Sequence, residues 1–454
     1  MKKSILTLLF IMAFSLTNNA QQMLTSKVNH DKMLNRFLNY VNIESQSMYV
    51  SDNSFPMTEG QKRIAQFIYD EVKALGGKDV KVTLSDTYYV YIDIPANVKK
   101  AVPSLLIMAH MDVTPEAPGQ GIKPIVHRNY DGGDIVLPGG ITLSPNTPQG
   151  SHLKNLVGKT IVTSDGNTLL GADDKTGCAV LISLVEEIIK NPNFKHGRVM
   201  VALSQNEDVG MAAMGYDPSV FGDRPDVVVD IDGADYNVFS IANFTAVGQN
   251  YYFKGNDVHP GHAKEGKYGD ALTAASYFLG LIPPEIHPSN RDGEQGYVHC
   301  FAMEHPKDKN GKPIKTDYEL KFRIRYFDKE EGAYQRQLMQ LNLAKTQQAF
   351  PNVTISKTAD DTQYENIAYS LPDFLPPMIE KASREEGLPM MACNKRGGTT
   401  SAMMVARFPD AMPGGSGIYS GQQGIHSCYE WACIDELLIL VNVCENLITQ
   451  ITDK

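Results

Sequence analysis

The hydrophobic pattern alternates between helical and strand-like segments along much of the chain. Residues 61–75 place apolar side chains at helical spacing, and a short strand-like run at 80–83 follows them. The runs at 105–109, 199–203 and 227–229 are continuous and apolar, as expected of strands that are covered on both faces. Such alternation is typical of a layered α/β domain. We therefore expect these three runs in the interior of a sheet.

The pattern changes in the middle of the chain. Polar and apolar residues alternate in 249–254 and 318–326, and a helical stretch covers 334–350. This combination predicts a smaller α+β insert. Helical spacing resumes after it and continues to the end of the chain, and a length of 454 residues also favours two domains. We predict an α/β domain in two parts, residues 21–238 and 369–454, around an insert at residues 239–368.

The first twenty residues have the layout of a signal peptide. Lys2 and Lys3 precede an apolar run at 5–16, and a short polar stretch then leads to Ala20. The run is short for a bilayer span, so a permanent membrane anchor is the weaker interpretation. We therefore predict removal of residues 1–20 and export to the periplasm or beyond, without a stable membrane anchor.

Composition narrows the class of protein further. With 42% hydrophobic and 21% charged residues, the chain has the composition of a folded soluble protein. Loss of the leader removes two lysines and moves the formal charge from −10 to −12, which argues against nucleic acid as a partner. The six cysteines are scattered and too few for a disulfide scaffold, so their spacing leaves the disulfide state open.

Residues typical of metal sites follow all three apolar runs. The first run leads into His110 and Asp112, the second is followed by Glu207 and Asp208, and the third by Asp232. In open α/β sheets, ligands bind beyond the carboxyl ends of the strands. We therefore expect these side chains to meet at one edge of the sheet.

Two further candidates lie elsewhere in the sequence. Asp173, with Asp174, precedes a helical stretch, a position that helix capping alone would also explain. His426 and Glu430 have the spacing of a pair on a helix surface. Single motifs of this kind match by accident, but together the candidates supply the imidazole and carboxylate ligands that two zinc ions need. The predicted ligands are His110, Asp173, Asp208, Asp232 and His426, and Asp112 is placed to hold the second ring nitrogen of His110.

Longer stretches of the chain resemble the peptidase T family, tripeptide aminopeptidases within a wider group of two-zinc enzymes that includes aminoacylases and glutamate carboxypeptidases. The resemblance runs from about residue 33 to about residue 451. It is carried by residues 37–41, 58–61, 95–98, 129–135 and 169–175.

The resemblance implies a mixed-sheet α/β zinc exopeptidase domain with an inserted α+β lid domain, through which the chain would form a homodimer. It implies two Zn²⁺ ions, with Co²⁺ or Mn²⁺ as alternatives, and Asp173 as the bridging ligand. Glu207 would be the general base for a metal-bridging hydroxide that attacks a short peptide. Asp112 would assist the chemistry from its place beside His110.

The resemblance also implies three residues that contact the substrate. His259 would reach a neighbouring active site and stabilise the developing oxyanion. Arg325 and Arg396 would grip the substrate carboxylate with paired hydrogen bonds. From the residues alone, a surface ion pair remains an alternative for both arginines.

Two positions depart from the family pattern. Asp208 stands where a glutamate is usual, so this ligand is one methylene shorter, and the choice of metal stays open. Thr400 stands where an aspartate is usual, which weakens the inference of strict tripeptide specificity.

The sequence therefore predicts a metal-dependent exopeptidase that releases the N-terminal residue from short peptides. The alternatives are a related two-zinc dipeptidase, carboxypeptidase or N-acyl amino acid amidohydrolase, and a binding protein that keeps the fold without the chemistry.

Overall fold

The computed structural model describes residues 28–50, 55, 57–265 and 267–454. The predicted signal peptide at residues 1–20 lies outside this part of the chain. In the described part, the α-helices are α1 (His30–Val41), α2 (Glu59–Leu75), α3 (Ala172–Lys190), α4 (Ala212–Gly215), α5 (Ala271–Gly280), α6 (Lys329–Ala349), α7 (Leu375–Glu385), α8 (Thr400–Arg407) and α9 (Ile434–Asp453). Among the described residues, none of the helices is long and apolar enough to cross a bilayer.

The strands form a large sheet, a smaller sheet and two minor sheets. In spatial order, the large sheet contains β1 (Lys81–Leu84), β2 (Val90–Ile94), β8 (Val199–Ser204), β3 (Leu105–His110), β9 (Val227–Gly233), β17 (Gly415–Tyr419), β10 (Val238–Asn243) and β16 (Met391–Lys395). The smaller sheet contains β12 (Tyr297–Glu304), β13 (Tyr318–Tyr326), β11 (Thr245–Lys254), β14 (Thr354–Lys357) and β15 (Asp361–Tyr364). The minor sheets contain β18 (Gln422–Gln423), β19 (Trp431–Cys433), β7 (Ile161–Thr163) and β4 (Ile125–His127), and the pair β5 (Ile135–Val136) and β6 (Thr142–Leu143).

The three apolar runs of the sequence form the centre of the large sheet. β8, β3, β9 and β17 are neighbours and run parallel, while β1, β2 and β10 add antiparallel pairings. All residues of β3 and β8 are buried, because helices cover both faces of the sheet. One core packs α1, α2, α3, α7 and α9 on one face, and a second core packs α4 and α8 on the other. The predicted α/β fold with a mixed sheet is confirmed.

The smaller sheet has a hydrophobic core of its own, to which α5 and α6 contribute. It begins at Thr245 and ends at Tyr364, inside the predicted insert. β10 differs from the expectation, because it pairs with β17 and β16 in the large sheet. The change from one sheet to the other therefore comes after Asn243 rather than at residue 239. The division into domains itself stays a prediction.

A glycine in α3 sets the distance between this helix and β9. A Cβ atom at Gly177 would lie 2.2 Å from the carbonyl oxygen of Ile231 and 2.6 Å from both carboxylate oxygens of Asp174. We expect Gly177→Ala to lower the free energy of unfolding by about 1–3 kcal/mol, because the backbone must move to make room. The urea midpoint at an unchanged m-value measures this loss.

Gly280→Ala is the matched control, since Gly280 also lies in a helix but a Cβ atom there would have no neighbouring atom within 4 Å. We expect this variant to keep or slightly raise the urea midpoint. A wild-type midpoint for Gly177→Ala would contradict the close packing of α3 on β9.

Candidate metal centre

The strand ends that were predicted to carry metal ligands meet at one edge of the large sheet. His110 is the last residue of β3, Asp232 lies near the end of β9, and Glu207 and Asp208 follow β8. Because these strands run parallel, their carboxyl ends share this edge. The N-terminus of α3 brings Asp173 to the same place.

Asp173 stands between the two predicted histidine ligands. Its Oδ1 lies 2.9 Å from Nε2 of His110, and its Oδ2 lies 3.4 Å from Nε2 of His426. Nε2 of His110 also faces Asp232 Oδ1 at 3.6 Å, and Nε2 of His426 faces Asp208 Oδ1 at 2.8 Å. The predicted ligands therefore form two adjoining groups that share one carboxylate.

Both imidazole rings turn the same nitrogen toward these carboxylates. Nδ1 of His110 lies 3.1 Å from the main-chain oxygen of Asp112, and Nδ1 of His426 lies 2.9 Å from Oε2 of Glu116. A carbonyl or ionised carboxylate oxygen only accepts hydrogen bonds, so each Nδ1 carries a proton. Each Nε2 faces carboxylate oxygens, to which it donates while its ring is protonated, and a cation bound there would replace that proton and take the Nε2 lone pair. The Asp112 carboxylate, which was predicted for this contact, lies farther from His110, with Oδ1 at 3.5 Å.

The donor atoms have the spacing and chemistry of a divalent metal site. Zinc bonds of about 2.0–2.1 Å in a tetrahedron separate neighbouring donors by about 3.3 Å. The four histidine–carboxylate distances lie between 2.8 and 3.6 Å. Asp208 Oδ2 is buried and has no hydrogen-bond partner in the described part of the chain. The residues therefore fit a pair of divalent cations.

The charge balance of the centre favours the same conclusion. Burial and neighbouring carboxylates raise the pKa of Glu207 and Asp174 well above their ordinary values, and that of Asp208 to about 8. Burial alone would raise the pKa of Asp173, but hydrogen bonds from the two histidines lower it. Hydrogen bonds to Asp173 and Asp208 raise the pKa of His426 to about 12. Acidic groups outnumber histidines here, so the centre attracts positive charge.

A buried glutamate holds the backbone that carries Asp173. Glu430 is 1% exposed, and its Oε2 accepts the N–H groups of Leu170 and Gly171 at 2.6 Å each. Its Oε1 accepts the N–H of Asp173 at 3.0 Å. The interpretation of His426 and Glu430 as a helix-surface pair is therefore wrong. Both residues lie between β18 and β19, and Glu430 points into the protein.

Asp112 and Gln61 hold the segment that follows β8. The Asp112 carboxylate accepts the N–H of Glu207 at 3.1 Å and the N–H of Asp208 at 3.3 Å. Gln61 of α2 donates to Asn206 Oδ1 at 2.9 Å and accepts the Asn206 N–H at 3.1 Å. The main chain around Glu207 and Asp208 is thus fixed from two directions.

Three acids of the site were not assigned roles from the sequence, namely Asp174, Glu430 and Glu116. Asp174 accepts the N–H of His110 at 3.3 Å and that of Gly177 at 3.1 Å, and its carboxylate lies close to His110 and Asp232. Asp174 and Glu430 have a sequence signal, since each stands near a predicted ligand. Glu116 has none, because its contact with His426 joins distant parts of the chain.

The two predicted substrate arginines border one aromatic cluster, formed by Phe244, Tyr297, Phe327 and Tyr364. The Arg325 guanidinium lies 5.4 Å from the ring centre of Tyr364 and donates to Gln363 Oε1 at 3.3 Å. It is buried and has no ion pair with an acid in the described chain. Arg396 is exposed, lies 4.9 Å from the ring centre of Phe244 and donates to the Gly293 oxygen at 2.6 Å.

His259 lies apart from the metal centre in the contacts that the structure describes. It is exposed on the connection between β11 and α5, where its Nδ1 accepts the N–H of Gly261 at 3.1 Å. No described contact joins its ring to His110, Asp173 or His426. Its predicted role in a neighbouring active site stays a prediction.

Asp173 and Asp174 form a matched pair for testing the centre. We expect Asp173→Asn to weaken the binding of both cations by more than about a hundredfold, because this carboxylate faces both histidines. We expect Asp174→Asn to keep both cations and to lose about 1–2 kcal/mol of stability, because one buried N–H loses its acceptor. Calorimetric metal titration and urea unfolding of each variant measure the two effects. Loss of metal in Asp174→Asn would instead make Asp174 a ligand.

The chain is similar in sequence and in fold to known peptidases. No protein-family model matches the chain. Peptidase T of Lysinibacillus sphaericus is 31% identical over 415 residues, which cover 90% of this chain and 95% of that protein. The structure of aminopeptidase PepT from Bacillus cereus matches with a TM-score of 0.68 and 19% identity, over 94% of this chain and 100% of that one.

A dinuclear metal-binding peptidase of the M20 family from Bacillus subtilis matches with a TM-score of 0.61 and 11% identity, over 94% of this chain and 100% of that one. At these identities the two structures show a shared fold. The sequence match to peptidase T spans nearly the whole length of both proteins. The chain therefore belongs to the peptidase T family.

Proposed function

We propose that this chain is a metal-dependent aminopeptidase that releases the N-terminal residue from short peptides, tripeptides above all. The observation that carries the proposal is the Asp173 carboxylate, which faces Nε2 of His110 with one oxygen and Nε2 of His426 with the other. A carboxylate in this position is suited to bridging two cations. Membership of the peptidase T family supports the same activity.

Each cation would have its own set of ligands. His110 and Asp232 would hold one ion and His426 and Asp208 the other, with Asp173 shared between them. We propose Zn²⁺ for both, because imidazole and carboxylate donors at this spacing suit zinc, and Co²⁺ or Mn²⁺ would fit the same donors. Bound there, the pair of ions would polarise the peptide carbonyl and lower the pKa of a water molecule.

Glu207 would move the proton in this reaction. It adjoins Asp208, its main chain is tied to Asp112, and the charges of Asp232, His110 and Asp208 act on its carboxyl group. As general base it would take a proton from the attacking water, and as general acid it would give that proton to the leaving amine. Asp112 assists by fixing the position of Glu207.

The aromatic cluster and its arginines would hold the other end of the peptide. Arg325 has no acidic partner in the described chain and donates to the Ile324 oxygen and to Gln363 Oε1, and its remaining N–H groups would donate to a carboxylate. Arg396, beside Phe244 and Tyr297 of the same cluster, would add a second cation. A homodimer through the smaller sheet would bring His259 of one subunit to the carbonyl oxygen in the other. We also propose export, for which residues 1–20 are the support.

A comparison of blocked and free peptides tests the activity. We expect turnover of a free tripeptide such as trialanine by the zinc-loaded protein, and no turnover of its N-acetylated or C-amidated forms. An aminopeptidase needs the free amine, and the arginines need the free carboxylate. Product analysis by mass spectrometry measures each cleavage. Turnover of the acetylated peptide would support an amidohydrolase, and an inert protein that binds no zinc would support a binding role.

Glu207→Gln tests the proton transfer separately from metal binding. We expect kcat to fall by about 10²–10⁴-fold, because the amide cannot accept the proton of water. We expect the metal content to remain that of the wild type, as measured by atomic emission. Loss of metal in this variant would mean that Glu207 and Asp208 have each other's roles.

A further inference from the structure

We propose that Glu116 is a positioning residue that fixes the ring of His426 for metal binding. Oε2 of Glu116 lies 2.9 Å from Nδ1 of His426. The two residues come from segments that are far apart in sequence, one after β3 and the other after β18. This inference rests on the two-metal centre of the proposed function and adds a residue that holds one of its ligands in place.

The need for such a residue follows from the surroundings of His426. His110 is 1% exposed and belongs to a fully buried strand, so packing already fixes its ring. The His426 side chain is 31% exposed and lies on a loop, with a backbone φ of +57° that is uncommon for a residue other than glycine. Its Nε2 is nevertheless placed between Asp173 and Asp208. A second fixed contact on the ring is what defines this orientation.

The hydrogen bond to Glu116 also selects the tautomer. An ionised carboxylate only accepts, so Nδ1 of His426 donates to Glu116 and Nε2 is the nitrogen that a cation would bind. The partial negative charge that the bond places on the ring makes Nε2 a better donor to a metal. Glu116 would thus act through His426 and not as a ligand of its own.

The segment that carries Glu116 is itself held in place. Nε2 of Gln46 donates to the carbonyl oxygens of Thr114 and Ala117, at 2.9 and 2.8 Å, on either side of Glu116. The Glu116 N–H donates to Thr114 Oγ1 at 3.2 Å, and Tyr49 donates to Glu116 Oε1 at 3.3 Å. These contacts distinguish Glu116 from a freely moving surface acid, although its side chain is 53% exposed.

Calorimetric titration of the metal-free protein with Zn²⁺ tests this role without peptide turnover. We expect two binding steps in the wild type. Glu116→Ala should weaken one of them about 10–100-fold and leave the other unchanged, as is typical of partners that hold a metal ligand. Glu116→Gln should lose less affinity at that step, because its amide oxygen still accepts from Nδ1. Thermal unfolding of the metal-free variants should match the wild type, since Glu116 is largely exposed.

Two further variants make the result specific. Asp86→Asn removes one negative charge at an exposed position between β1 and β2, as Glu116→Gln does near the centre, and should leave both binding steps unchanged. His426→Ala should lose the Zn²⁺ binding step that Glu116→Ala weakens. Adding Glu116→Ala to this variant should therefore leave the affinity of the remaining step unchanged.

The outcomes separate this inference from the proposed function. If the wild type binds two Zn²⁺ ions and Glu116→Ala binds both with unchanged affinity, the positioning role is overturned and the two-metal centre stands. An equal loss at both steps also overturns it, because Glu116 contacts only one of the two histidines. A wild type that binds fewer than two ions overturns the metal centre and this role together.

Discussion

The constraint on which the centre depends is the convergence of several buried carboxylates with only two histidines between them. Like charges at this distance repel, and burial removes the water that would screen them. Asp173 resolves part of the conflict because each of its oxygens faces one imidazole Nε2. Cations at the same positions would neutralise the remaining acids. The rest of the site consists of groups that keep these carboxylates together despite their repulsion.

The fold meets this constraint by tying down the main chain as well as packing the side chains. Glu430 accepts three N–H groups around Asp173, and Asp112 accepts the N–H groups of Glu207 and Asp208. Each acid therefore fixes a segment that carries another acid. Bonds from backbone N–H groups to charged acceptors are stronger than neutral ones. The positive ends of these N–H groups also offset part of the negative charge, so the supporting acids add less repulsion than their number suggests.

The sequence predicts those parts of the site that depend on local pattern. Continuous apolar runs identify the parallel strands, and the residues that follow them must share an edge, which places His110, Asp208 and Asp232 together. Contacts between distant loops have no such pattern, and for this reason Glu116 is missed. β10 falls within the predicted insert because it mixes polar with apolar residues, and its burial is less complete than that of β3 and β8. Burial on both faces gives a sequence signal that partial burial does not.

The aspartate at position 208 shows how the position of the main chain compensates for a short side chain. Asp208 lacks one methylene relative to glutamate, yet its Oδ1 lies 2.8 Å from Nε2 of His426. The link from Asp112 to the Asp208 N–H holds this segment, with Gln61 fixing the residue before Glu207. The position of the main chain therefore allows the short Asp208 side chain to reach His426. A short side chain on a fixed backbone has few rotamers, and Asp208 Oδ2 is held in a buried position without a hydrogen-bond partner in the described chain, where a bound cation would stabilise it.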